Sequence, residues 1–128
     1  MNQIQATIFD MDGVLIDSEP LHCSAAITLL KRLNIETTQE YHNRYVGCAD
    51  HLKWQKIKNE FKIQKSLQEI LDMSVSTKLE LLRRTDYDPI EGIPELLEKL
   101  NTKNIPVAVA SSSPAKFIEE VLHKIKIK

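Results

Sequence analysis

Two aspartates with one residue between them, Asp10 and Asp12, directly follow a short apolar run at the start of the chain. In a tight loop both carboxylates can face one ligand while Met11 points elsewhere, and Gly13 permits the backbone conformation that such a loop needs. Two carboxylates this close repel each other, an arrangement that suits one nucleophile and one general acid. Because an isolated Asp-x-Asp is more often a solvated turn, the pair needs support from other residues.

Three consecutive serines, Ser111, Ser112 and Ser113, follow a second apolar run. Their hydroxyls and the unpaired N–H groups of a helix that begins there could together form a phosphate-binding site. A phosphate and the Asp10 carboxylate need a cation between them, and Mg²⁺ often takes one or two carboxylates with a phosphate oxygen. Helix capping is the alternative, for which Ser113 would suffice. Together the two clusters predict phosphoryl transfer, with Asp10 as both attacking group and Mg²⁺ ligand.

Both polar clusters follow segments that read as buried strands, at residues 4–9 and 105–110. Neither segment alternates cleanly between apolar and polar residues, which favours strands covered on both faces in the parallel sheet of an α/β protein. Ligands of open parallel sheets bind beyond the carboxyl ends of the strands. We therefore expect the aspartates and the serines at one edge of the sheet.

A long helical pattern separates the two strands. Apolar residues recur at helical spacing from residue 18 to residue 33, and capping boxes are predicted at residues 37–40 and 66–69. Asp50 is expected to cap a helix that packs through Trp54. These helices predict an insertion between about residue 17 and residue 86.

The chain is expected to return to the sheet through a turn at residues 87–92 and a crossover helix with Pro94 in its first turn. A last helix is expected to begin at Ser113 and Pro114. Its predicted buried side consists of Phe117, Val121, Leu122 and Ile125.

Composition argues against several classes of partner. The 128 residues carry a formal net charge of −1 with both signs intermixed, so nucleic acid and anionic membranes are not expected partners. No leader or membrane-span pattern is seen, which predicts a cytoplasmic location. Cys23 and Cys48 lack the spacing of a metal site and are expected to be reduced, and the four histidines are expected in surface or structural roles.

The segment Asp-Met-Asp-Gly-Val-Leu-Ile-Asp-Ser at residues 10–18 resembles the first motif of haloacid dehalogenase-like (HAD) hydrolases. With the following Glu-Pro-Leu-His it is similar to the branch of β-phosphoglucomutases and phosphatases, as are Gly-Ile-Pro-Glu-Leu-Leu at 92–97 and Val-Ala-Val-Ala-Ser-Ser-Ser at 107–113. The resemblance implies an α/β fold. Its partial Rossmann-like core would comprise residues 1–17 and 87–128, with two parallel strands visible in the sequence, and an inserted α-helical cap would comprise residues 18–86.

The resemblance also implies roles for the site residues. Asp10 would receive the phosphoryl group as an aspartyl-phosphate, and Asp12 would protonate the leaving group and then activate water. The side chain of Asp10 and the main-chain carbonyl of Asp12 would hold Mg²⁺. Ser111 and Ser112 would bind the phosphate.

Gly47 and His51 fall in the cap loop that faces the substrate in this branch. The segment Cys-Ala-Asp-His at residues 48–51 does not reproduce the basic contact of the mutases. The resemblance therefore favours a phosphatase acting on a small phosphorylated metabolite, with a β-phosphoglucomutase-like sugar phosphomutase as the alternative.

The family pattern continues with a lysine and an acidic pair downstream of the second motif, and this sequence ends at Lys128 before either. On that ground we expect a truncated enzyme with weak Mg²⁺ binding and exposed strand edges. Enzymatic activity of this polypeptide is left open. The alternative is a catalytically silent fragment that acts as an interaction module or self-associates through a sheet edge.

Overall fold

The computed structural model describes residues 3–125, which form two compact units. We call the described residues of Met1–Ser18 and Asp86–Lys128 the core unit, and Glu19–Thr85 the helical unit. These limits lie one residue from those expected at each junction, and the assignment of the units as domains stays a prediction. In chain order the elements are β1 (Thr7–Phe9), α1 (Glu19–Arg32), α2 (Gln39–Asn43), α3 (Asp50–Phe61), α4 (Leu67–Arg84), α5 (Ile93–Thr102), β2 (Val107–Val109) and α6 (Ala115–Lys124).

The core unit contains the expected parallel strand pair. β1 and β2 pair with Thr7 opposite Val107 and Phe9 opposite Val109. A hydrogen bond from Ala110 N to Phe9 O, 2.8 Å long, continues the pairing just past the strands. The carboxyl ends of β1 and β2 therefore lie side by side, and the loops that follow them begin at neighbouring positions.

The expectation that both strands are buried on both faces is wrong for the described residues. Phe9 is buried, whereas Ile8 is 71% exposed and Val107 is 42% exposed. Successive side chains of a strand point to opposite faces, and Ile8 lies opposite Ala108, which is exposed as well. An uninterrupted apolar run is compatible with burial on both faces, but the sheet of the described residues has only two strands and leaves this face uncovered.

The helices of the core unit follow the sequence closely. Pro94 lies in the first turn of α5, as predicted, where its missing N–H has no intrahelical partner to lose. α6 buries Phe117 and Val121, and Ile125 is buried just after its end. Leu122, expected on the same side, is half-buried.

The helical unit packs around one apolar cluster. The predicted stripe of α1 supplies Ala26, Leu29 and Leu30, and α3 supplies Trp54 and Ile57; Ile63 and Ile70 complete the buried set. Trp54 is 1% exposed, which confirms its expected packing role. None of the described helices is both long enough and apolar enough to cross a membrane.

The predicted helix caps were right in one case of three. Ser66 and Glu69 form the expected capping box, with the side chain of each accepting from the backbone N–H of the other. At the box predicted for residues 37–40, the N-cap is Thr38, whose Oγ1 accepts from Tyr41 N at 3.2 Å. The hydroxyl of Thr37 lies 2.8 Å from Nε2 of the buried His42, and this contact competes with capping.

The prediction that Asp50 caps α3 is also wrong. Ala49 occupies the N-cap position without a side-chain hydrogen bond, and Asp50 is the first helical residue. Its carboxylate instead pairs with Lys78 on α4 at 2.8 Å. Leaving a buried lysine without a charged partner costs more free energy than leaving an exposed helix end without a cap.

Candidate active site

The loop after β1 is held by its own backbone. The carbonyl of Met11 accepts from Leu15 N at 2.9 Å, and Gly13 N donates to Ile16 O at 2.8 Å. Met11 and Ile16 are each 0% exposed and Leu15 is 1% exposed, so three apolar side chains anchor the turn in the core unit. The loop is therefore a firm support for the two aspartates that it carries.

Gly13 has a positive φ of 79°, in the region that L-residues with side chains seldom adopt. A Cβ at this position would meet no atom within 4 Å. Glycine is therefore required here by the backbone conformation and not by lack of space, as the sequence predicts for a tight loop.

Asp10 is exposed at the end of β1. Its Oδ1 accepts a hydrogen bond from Met11 N at 2.8 Å, which orients the carboxylate within the loop. An exposed, oriented carboxylate beyond a strand end is suited to attack a substrate that arrives from solvent.

Asp12 is half-buried and accepts from two serine hydroxyls. Ser18 Oγ lies 2.5 Å from its Oδ1, and Ser113 Oγ lies 3.3 Å from its Oδ2. The contact with Ser113 joins residues 101 positions apart in the sequence. The structure thus brings the two predicted polar clusters together through Asp12.

The serine loop after β2 is turned by a hydrogen bond from Ser113 N to Ser111 Oγ, 3.1 Å long. Ser111 uses its oxygen as an acceptor in this bond, so its hydroxyl hydrogen can be donated elsewhere. Ser112 is exposed. The capping role considered for Ser113 is wrong: Pro114 is the N-cap of α6 without a side-chain hydrogen bond, and the Ser113 hydroxyl is directed to Asp12.

The candidate site offers ligand atoms of the type that Mg²⁺ binds. Asp10 and Asp12 offer oxygen atoms, which this hard cation prefers, and Mg²⁺ usually keeps several water ligands. In residues 3–125 there is no group of three or more His, Cys, Asp or Glu side chains that could hold a metal ion. The two aspartates therefore provide part of a ligand set.

The remaining predicted site residues, Gly47 and His51, belong to the helical unit. Gly47 is exposed, with a φ of 80°, between α2 and α3, and His51 is exposed on the first turn of α3. Their expected role in facing the substrate stays a prediction. Cys23 and Cys48 are free thiols, as expected.

Comparison with known proteins identifies the family. The model of the family described as haloacid dehalogenase-like hydrolase matches residues 7–128. The chain belongs to this HAD family. The expected family membership and the α/β fold are therefore confirmed.

Two curated HAD relatives are similar over nearly the whole chain. The phosphorylated carbohydrates phosphatase of Thermotoga maritima is 29% identical in an alignment that covers 97% of this chain and 57% of that protein. Hexitol phosphatase B of Escherichia coli K12 is 28% identical in an alignment that covers 94% of this chain and 54% of that protein. The chain thus spans little more than half the length of these relatives.

The crystal structure of β-phosphoglucomutase from Clostridium difficile is similar in fold. It superposes with a TM-score of 0.75 at 23% identity, covering 98% of this chain and 58% of that one. At this identity the similarity establishes the HAD fold alone.

Ser18 is the site residue that sequence reasoning missed. It stands at the end of the first motif, and its hydroxyl is a polar group that follows the apolar Leu15 and Ile16. Only 2% of Ser18 is exposed, and a hydroxyl this buried normally has a hydrogen-bond partner. Its place in the motif was the available signal, but the contact with Asp12 depends on how the loop closes.

Proposed function

We propose that this HAD chain is a phosphatase-type hydrolase that acts on a small phosphorylated carbohydrate through an aspartyl-phosphate. The observation that supports it most strongly is the hydrogen bond between Ser113 and Asp12, which joins the aspartate loop to the serine loop. The two curated relatives, named for phosphorylated carbohydrates and for hexitol phosphates, suggest the substrate class. A cytoplasmic location belongs to the same proposal.

In the proposed reaction a carboxylate oxygen of Asp10 attacks phosphorus, and the bond from phosphorus to the sugar oxygen breaks. Asp12 gives its proton to that departing oxygen. Water then attacks the phosphorus of the aspartyl-phosphate while Asp12 takes the proton of that water. The bond from phosphorus to the Asp10 oxygen breaks, which releases phosphate and restores the Asp10 carboxylate. Ser111 and Ser112 would donate hydroxyl hydrogen bonds to the phosphate oxygens during both steps.

Mg²⁺, held by the Asp10 carboxylate and the Asp12 main-chain carbonyl, would neutralise the charge that otherwise repels a phosphate from a carboxylate. We also propose that Gly47 and His51 contact the sugar, as the family resemblance implies. His51→Ala should then raise KM for a sugar phosphate and leave unchanged the KM for a phosphoester without a sugar, such as 4-nitrophenyl phosphate. An equal rise for both would contradict this role.

The test of the main proposal is phosphate release by the 128-residue chain from a panel of hexose and hexitol phosphates with Mg²⁺. Asp10→Asn should reduce release to the background rate, because the amide is a far weaker nucleophile than the carboxylate. Asp72→Asn, the same chemical change at an exposed position of α4, is the matched control and should leave the rate unchanged. A folded wild-type chain without turnover would refute the proposal.

A sugar phosphomutase is the second enzymatic candidate, and it is motivated by the fold that the chain shares with β-phosphoglucomutase. It predicts conversion of a hexose 1-phosphate to the 6-phosphate faster than release of phosphate. The two products can be measured in one assay by phosphorus NMR. Predominant phosphate release would favour the hydrolase.

A third candidate, from a different class, is an interaction module that pairs with a second copy of itself. It is motivated by the exposed Ile4 and Ile8, at 70% and 71%, of which Ile8 lies in β1 on the uncovered face of the sheet. Unpaired strand edges with apolar neighbours favour association. A stable monomer at micromolar concentration would count against it.

A further inference from the structure

The carboxylate of Asp12 is held at both of its oxygens. The hydroxyl of Ser18 donates to Oδ1 at 2.5 Å, and the hydroxyl of Ser113 donates to Oδ2 at 3.3 Å. The last torsion of an aspartate side chain is broad when nothing constrains it. Two donors on different oxygens restrict that rotation, which one donor would leave largely free.

The two hydrogen bonds are unequal. The bond from Ser18 is short, comes from a residue that is 2% exposed, and has the length expected when a hydroxyl donates to a charged oxygen. The bond from Ser113 lies beyond the usual range for a hydroxyl donor, and Ser113 is only half-buried. The bond from Ser18 is therefore the stronger of the two.

We infer that Ser18 is a positioning residue that fixes the carboxylate of Asp12 for its proposed role as general acid and base. This inference rests on the proposed function. Without the Ser18 hydroxyl, the Asp12 carboxylate would lose its shorter hydrogen bond, which comes from a buried donor.

The first test compares steady-state kinetics of four variants on the best sugar phosphate found for the wild type. Ser18→Ala should lower kcat by about 10- to 100-fold, because a misplaced general acid is inefficient, and change KM by about twofold or less. Ser18→Thr keeps the hydroxyl and should restore most of kcat. Ser113→Ala should lower kcat by about threefold or less, since it removes only the weaker bond.

Ser24→Ala, at an exposed position of α1, is the control and should match the wild type. A comparison of two substrates with different leaving groups distinguishes a positioning role of Ser18 from a purely structural one. In single-turnover reactions, Ser18→Ala should slow phosphoryl transfer from the sugar phosphate much more than transfer from 4-nitrophenyl phosphate, whose leaving group needs little protonation. A general loss of folding would slow both reactions to the same degree.

The outcomes separate the inference from the proposed function. A wild-type chain without turnover would overturn the function and the inference together. An active wild type with Ser18→Ala as fast as Ser24→Ala would overturn the inference alone, as would equal slowing of the two leaving groups or failure of Ser18→Thr to recover. A larger loss of kcat in Ser113→Ala than in Ser18→Ala would also overturn the inference, because Ser113 would then be the positioning residue.

Discussion

The Nζ atom of Lys78 on α4 lies 2.8 Å from Oδ2 of Asp50 on α3, although the residues are 28 positions apart in the sequence. Lys78 is 6% exposed, and so is Lys53, which adds a second positive charge near the same carboxylate. Partial burial raises the pKa of Asp50, but the charge and hydrogen bond of Lys78, with the charge of Lys53, outweigh it and hold the pKa below its usual value.

Removing the charge of Asp50 is predicted to destabilise the helical unit. Asp50→Asn leaves the buried Lys78 without its ionic partner, and we expect a loss of about 1–2 kcal/mol in the free energy of unfolding, less than for a fully buried pair because Asp50 is half-exposed. The measurement is urea unfolding at pH 7. Asp72→Asn on α4 serves as the control, and equal loss in both variants would contradict the prediction.

The buried His42 is predicted to make stability depend on pH. Burial, with the charges of Lys53 and Arg44, lowers its pKa from 6.5 to about 4. Because the folded-state pKa is the lower one, the unfolded chain binds a proton first as the pH falls. The contribution of His42 is thus complete above pH 6.5 and is lost progressively towards pH 4.

Thermal unfolding of the wild type and of His42→Phe between pH 7 and pH 4 checks this dependence. The midpoint of the wild type should fall more steeply over the interval, because the variant has no imidazole to protonate at this position. Parallel curves for the two proteins would refute the prediction. A direct NMR titration should place the midpoint of His42 near 4.

The packing of α3 predicts a contrast between two aliphatic residues on the same helix. Ile57 is 0% exposed in the core of the helical unit, whereas Leu52 is 51% exposed. Ile57→Ala should cost about 2–5 kcal/mol of unfolding free energy, since it removes buried atoms and leaves a cavity. Leu52→Ala should stay within about 0.5 kcal/mol of the wild type. Similar losses in chemical denaturation would show that α3 packs through another face.

Self-association, if it uses the sheet, is predicted to depend on Ile8. Ile8→Thr keeps a β-branched residue in β1 but reduces the exposed apolar area, so it should shift sedimentation towards the monomer at micromolar concentration. Leu52→Thr removes a comparably exposed apolar side chain from the helical unit and is the control. An unchanged distribution for Ile8→Thr would exclude this face as the contact.

Several features were predictable because they depend on neighbours in the sequence. The capping box of Ser66 and Glu69 joins residues three positions apart, and Pro94 fits the first turn of its helix by its own geometry. The placement of Asp10 directly beyond a strand follows from the end of the apolar run. The missed cap at Thr37 and the exposed face of Ile8 depend instead on contacts and layers that no local pattern reports.

The sequence by itself determined the two polar clusters, the glycine that the aspartate loop needs, and the HAD motif that both clusters match. Only the tertiary structure decided that Ser113 donates to Asp12 across 101 positions and that Asp50 serves Lys78 and not its own helix end. The physical reason is the range of the forces involved. Backbone geometry and capping act within a few residues, whereas strand register and the charge of a buried lysine select partners from the whole fold.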